Sequence, residues 1–111
     1  MEPRIDVVAG KAGHKRKMDD VRPGDLLPSK RYAPIAMFLG ADSNLKHAHF
    51  AIAAGVTETE GEGRCRPRPD CQFLRLAKGE TRVFRYGPDA ERYTIRVTGL
   101  RDVVVDRRKA K

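Results

Sequence analysis

The sequence predicts a mainly β fold: about six antiparallel strands forming a small barrel or sandwich, with disordered basic tails. Three observations predict it. Apolar residues between 34 and 106 recur at every second position or in short compact runs. Gly, Pro, Asp and Asn fall between those runs at hairpin spacing. No stretch carries the i, i+3, i+4 recurrence that an amphipathic helix needs to bury one face.

Residues 1–31 read as a flexible basic tail. Gly10, Gly13, Pro23, Gly24 and Pro28 interrupt every short apolar stretch, and Lys15-Arg16-Lys17 followed by Asp19-Asp20 has no apolar period. Such a segment buries too little surface to offset its ordering entropy. The β domain is placed at 32–106. Its first strand is the apolar run Ile35-Ala36-Met37-Phe38-Leu39, closed by Gly40 and the turn chemistry of Ala41-Asp42-Ser43-Asn44. Residues 46–53 alternate, with Ala48, Phe50 and Ile52 on one face and His47, His49 and Ala51 on the other. Gly55 bends the chain and Val56-Thr57-Glu58-Thr59 continues it.

A loop then runs from Gly61 through Cys71, and Pro67 and Pro69 exclude it from the middle of a sheet. In 72–77 Leu74 and Leu76 share one face, and Phe73 and Arg75 the other. Lys78-Gly79-Glu80 is a short turn, and 81–86 sets Phe84 and Tyr86 against Val83. After the turn Gly87-Pro88-Asp89-Ala90, the stretch 92–98 directs Tyr93, Ile95 and Val97 inward, with Arg92, Thr94, Arg96 and Thr98 outward. Gly99 is expected to end that strand, Val103-Val104-Val105 to make a last one, and residues 107–111 to form a second basic tail.

The chain has 111 residues, 40% hydrophobic and 34% charged, with no Trp, so one domain with a thin aliphatic core is expected. The net charge is +8, and residues 1–31 and 106–111 each carry +3 of it. Charge placed in tails is a solvated feature first and a polyanion-binding one second. No run of eighteen apolar residues offers a transmembrane helix. Residues 1–10 lack the apolar core of a signal peptide, so a cytoplasmic setting is expected unless an export segment lies upstream.

Cys65 and Cys71 enclose a loop stiffened by two prolines. In an oxidising compartment they would form a disulfide, with roughly 2.4 kcal/mol of stabilisation from loop closure. Free structural thiols or metal ligation are the alternatives. The spacing is not C-x-x-C, which argues against thioredoxin-type redox chemistry. His47 and His49 lie at i and i+2, where one face presents both imidazoles. They could join Cys65 and Cys71 in a Cys₂His₂ metal site, although neither pair has zinc-finger spacing. The plainer reading leaves both histidines on an exposed strand face. Arg75, Arg82, Arg85, Arg92, Arg96 and Arg101 read as outward, and with Arg107, Arg108 and Lys109 of the tail they are candidate polyanion contacts. Cross-strand pairing with Glu80, Glu91 or Asp102 accounts for strand arginines more cheaply. Base-stacking sheets also expose aromatics. Tyr86 and Tyr93 are expected on inner faces, so that half of a nucleic-acid surface is missing. No G-x-S-x-G, P-loop or H-E-x-x-H signature occurs, and the reading is of a non-enzyme without cofactors.

Gly61-Glu62-Gly63-Arg64-Cys65, then Cys71-Gln72-Phe73-Leu74-Arg75-Leu76 and Lys78-Gly79-Glu80, resemble small β domains of actinobacterial exported proteins. Those domains carry a G-x-G-x-C-x-P-x-x-x-C-Q loop before a strand. In outline they are similar to the pilus-assembly lipoprotein P family, small β-barrels that hold pilus proteins of the inner membrane to the outer apparatus. The resemblance spans about residues 33–105. It implies an exported or envelope-associated domain that binds another protein, with no catalytic residues. The sequence departs from it in having no lipid-attachment cysteine. Two functions are therefore expected: a non-catalytic protein-binding β domain, whose open sheet edges add a partner strand, or a cytosolic nucleic-acid-binding module using basic tails and strand arginines.

Overall fold

A computed structural model of the chain describes residues 2–29, 34–67 and 71–104. The described residues form ten β-strands: β1 Glu2–Lys11, β2 Arg16–Val21, β3 Leu26–Leu27, β4 Ala36–Ala41, β5 His47–Ile52, β6 Val56–Gly61, β7 Arg64–Arg66, β8 Phe73–Ala77, β9 Thr81–Tyr86 and β10 Glu91–Val103. They pair into two antiparallel five-stranded sheets. One has the order β2-β1-β10-β9-β6, the other β3-β4-β5-β8-β7. The all-β expectation holds, with more strands than the six that local alternation reveals.

The chief correction concerns residues 1–31, which do not form a detached tail. Within β1, Ile5, Val7 and Ala9 are fully buried and alternate with Arg4, Asp6 and Val8. The strand pairs along its whole length with β10, from Glu2 opposite Val103 to Lys11 opposite Tyr93. The glycines that suggested disorder are hairpin chemistry. Gly13 has φ +84°, and a Cβ on Gly10 would lie 2.7 Å from the His14 carbonyl oxygen. The β domain therefore begins before residue 32. Residues 105–111, with the predicted basic tail, lie outside the described residues.

β10 is also longer than expected. It runs through Gly99 without a break, because a bulge there absorbs the irregularity: Asp6 faces Gly99 and Val7 faces Val97. The loop between Gly61 and Cys71 contains a short edge strand, β7, which pairs with β8. Its edge position is where a proline-bounded segment can sit.

The core lies between the two sheets. Ile5, Val7, Phe84, Tyr93, Ile95 and Val97 come from one, and Leu27, Phe38, Ala48, Phe50, Leu74 and Leu76 from the other. Phe38 and Phe50 meet at 5.9 Å between ring centroids. Each large side chain buried here contributes roughly 1.5–3 kcal/mol relative to exposure. Alternation then dictates what remains outside: every second residue of each strand is available for something other than packing.

Candidate binding surfaces

Cys65 faces the core side of β7, opposite Leu74 of β8, and is bonded to Cys71 at 2.09 Å. The Gln72 amide also donates to the Arg66 carbonyl at 2.9 Å, closing the loop a second time. With Cys65 inward, Arg64 and Arg66 point outward on either side of it; both are exposed. Pairing register sets Arg64 directly opposite Arg75, and Arg66 directly opposite Phe73. The next strand adds His49 beside Arg75 and Ala51 beside Phe73.

The outer face of this sheet is thus basic with an aromatic centre. Phe73 is 53% exposed and Leu39, on β4, 42%. Both border a depression of about 260 Å³ that also touches His49, Arg64, Arg66 and Arg75. Among the described residues, none of these three arginines is in an ion pair. The expectation that no outward aromatic accompanies the arginines is corrected by Phe73.

The other predicted arginines are dispersed. On the opposite sheet Arg85 and Arg92 face each other, and Arg96 faces Thr81. Arg82 is not outward, because it pairs with the buried Ile95. Its guanidinium donates to Thr59 Oγ1 at 2.8 Å and to the Gly61 and Glu62 carbonyls at 2.9 and 3.2 Å. Burial lowers its pKa. Arg101 is bound to Asp6 and Asp20, both at 2.8 Å, and the buried Arg4 bridges Glu2 and Asp20. The predicted polyanion surface therefore divides, with Arg75 on one sheet and Arg85, Arg92 and Arg96 on the other. Arg107, Arg108 and Lys109 lie outside the described residues.

His47 and His49 do not converge with the cysteines. Each imidazole hydrogen-bonds one oxygen of Asp42: His47 Nδ1 to Oδ2 at 2.7 Å, and His49 Nε2 to Oδ1. His49 and then His47 lower the pKa of that carboxyl. The Cys₂His₂ arrangement is not formed in this structure, where the two sulfurs are bonded to each other. Among the described residues no group of three or more His, Cys, Asp or Glu is arranged to hold a metal ion.

A second concavity, of about 1010 Å³, follows β6, the last strand of its sheet. Ala51, Ile52, Ala53, Ala54 and Phe73 supply its apolar wall; Thr57, Glu58, Thr59 and Glu60 supply its strand wall. β6 pairs with β9 only, so its other backbone edge has no strand beside it among the described residues. Gly55 lets the chain turn tightly into β6, since a Cβ there would lie 2.7 Å from the Tyr86 ring. Glu58 and Glu60 are exposed and in no ion pair.

The fold and these surfaces define a two-sheet antiparallel β-sandwich with one open edge in a groove and one basic, aromatic-centred face. No family model matches the chain, and neither a curated protein nor a solved structure matches it. Among the described residues no helix is long and apolar enough to cross a membrane.

Proposed function

We propose that this protein is a non-catalytic binding domain that takes an extended segment of another protein as an added strand along β6. The carrying observation is the coincidence of a strand edge unpaired among the described residues with a groove of about 1010 Å³ that follows it. An open edge presents unsatisfied amides and carbonyls in a row, and a partner strand satisfies them while its side chains settle against the walls. The wall formed by Ala51, Ile52, Ala53 and Phe73 receives apolar side chains. Glu58 and Glu60, an acidic strip on a molecule of net charge +8, select a segment carrying Lys or Arg at alternate positions. The disulfide supports an exported or envelope-associated setting, because such bonds persist in oxidising compartments.

The test uses a fluorescein-labelled eight-residue peptide alternating Lys and Val, read by anisotropy. It is expected to bind, and Glu58→Lys with Glu60→Lys to weaken it by about tenfold or more. A peptide of the same sequence with its valines N-methylated, which removes alternate amides, should bind much less. Equal binding of the two peptides, or no effect of the double variant, would refute strand addition at β6.

A further inference from the structure

We propose that the outer face of the β3-β4-β5-β8-β7 sheet is a second site, which binds single-stranded nucleic acid through Phe73, Arg64, Arg66 and Arg75 and shares Phe73 with the wall of the β6 groove. Two features of this face are unfavourable for the folded chain alone. Arg64 and Arg75 stand directly across from each other on β7 and β8. Like charges at that separation, about 5 Å between Cβ atoms, destabilise a sheet. No carboxylate relieves them: neither arginine is in an ion pair among the described residues. Beside them Phe73 leaves 53% of its surface in water. Local arrangements that oppose stability without compensation mark functional positions.

The geometry states what would compensate. Arg66 is the direct cross-strand neighbour of Phe73, Arg75 is two residues along its strand at about 7 Å, and Arg64 lies diagonally. Three arginines therefore border the same depression as one exposed ring. Arginine forks match phosphate oxygens, and an exposed aromatic offers a stacking surface for a base. Both demands are met together by a strand whose phosphates follow the arginines while one base lies on Phe73. A duplex holds its bases in its own stack and cannot supply the second. Ala51 is small and lies beside Phe73 on β5, which leaves that flank of the ring open. The carboxylate of Asp42, which is bonded to the His49 beside Arg75, has its oxygens engaged by His47 and His49.

The measurement is anisotropy of a fluorescein-labelled oligothymidylate of about twelve nucleotides, titrated with the full chain across a salt series. Binding is expected at low salt, tighter for the single strand than for a duplex of equal length. Phe73→Ala should weaken it by roughly 5- to 150-fold while leaving the salt dependence unchanged. Replacing Arg64, Arg66 and Arg75 by Gln should reduce the log–log salt slope by about 2, at about 0.7 per lost phosphate contact. All four side chains lie on the outer face, and circular dichroism of the variants verifies that they fold. Glu58→Lys with Glu60→Lys should leave this binding intact, which separates the face from the β6 groove. Three outcomes overturn the proposal: no binding at low salt, a triple-arginine variant that binds as the parent does, or a duplex bound as tightly as the single strand. Equally tight capture of polyglutamate, or of vesicles containing anionic lipid, would also overturn it, by assigning the face to acidic surfaces in general.

Discussion

Asp6 ties β1 to β2 and to β10. Its carboxylate accepts from Arg101 at 2.8 Å and from the Asp20 amide at 2.9 Å. Asp20 adopts φ 60°, a left-handed conformation that Asp tolerates better than most residues, and it returns bonds to Arg4 and Arg101. Gly99 makes the arrangement fit: a Cβ there would stand 2.6 Å from Asp6 Oδ2. The Arg101 bond, and then the Asp20 amide, hold the Asp6 carboxyl below its ordinary value of 3.8. A carboxyl depressed in the folded state contributes stability that is fully present above the unfolded value. The contribution is lost as pH falls through the lower folded value. Asp6→Asn should therefore cost about 1 kcal/mol at pH 7, a modest figure because Arg101 is partly solvated. Thermal melts from pH 7 down to about pH 2 should show the two proteins converging below about pH 4. A gap constant with pH would mean that the Asp6 charge does not contribute. None of this could be read beforehand, because Asp6 and Arg101 are joined only by the pairing of the first strand with the last.

At the scale of elements, legibility followed burial on two faces. Of the inward sets, Ala48 and Phe50 of β5, Leu74 and Leu76 of β8, and Tyr93, Ile95 and Val97 of β10 are buried as their alternation predicts, while Ile52 is only half-buried and Thr94, expected outward, is buried. The same alternation set Phe73 and Arg75 on one outward face. It did not extend to β7, since three residues show no period, yet an inward Cys65 forces Arg64 and Arg66 outward. β7 is held to its sheet by β8 alone, and the disulfide is its covalent tie to the start of that strand. Reduction, or Cys65→Ser with Cys71→Ser, should lower stability by roughly 2.4 kcal/mol through the freed loop. At ordinary urea sensitivities this is a midpoint shift of about 1–2 M. A midpoint unchanged by reduction would show that β7 is secured without the bond.

For the molecule as a whole, the decisive fact is that the first and the last strand among the described residues lie side by side in the interior of one sheet. β1 lies between β2 and β10, and β10 lies between β1 and β9. Composition misled at residues 1–31 because it measures only local apolar content. Ile5, Val7 and Ala9 are few, but their partners are about 90 residues away and bury them completely. Some of the charged residues among them are network partners, since Arg4, Asp6 and Asp20 take part in ion pairs, while Lys15, Arg16, Lys17 and Asp19 are exposed as a solvated run would be. Residues 32–106 alone are therefore expected not to fold. Beginning the chain at residue 34 removes Ile5, Val7, Val21 and Leu27 from the core, a loss of roughly 6–12 kcal/mol at 1.5–3 for each side chain. That equals the whole stability of an ordinary small protein, about 5–15 kcal/mol. It also leaves β10 without its partner along its whole length, an exposed edge that invites association. The truncated chain should therefore give no cooperative urea transition and poor amide dispersion in NMR. Adding residues 1–33 as a separate peptide should restore both, since the β1–β10 register is written in side chains rather than in a connecting turn. A sharp transition from residues 34–111 alone would show that β10 and β9 complete the core without β1.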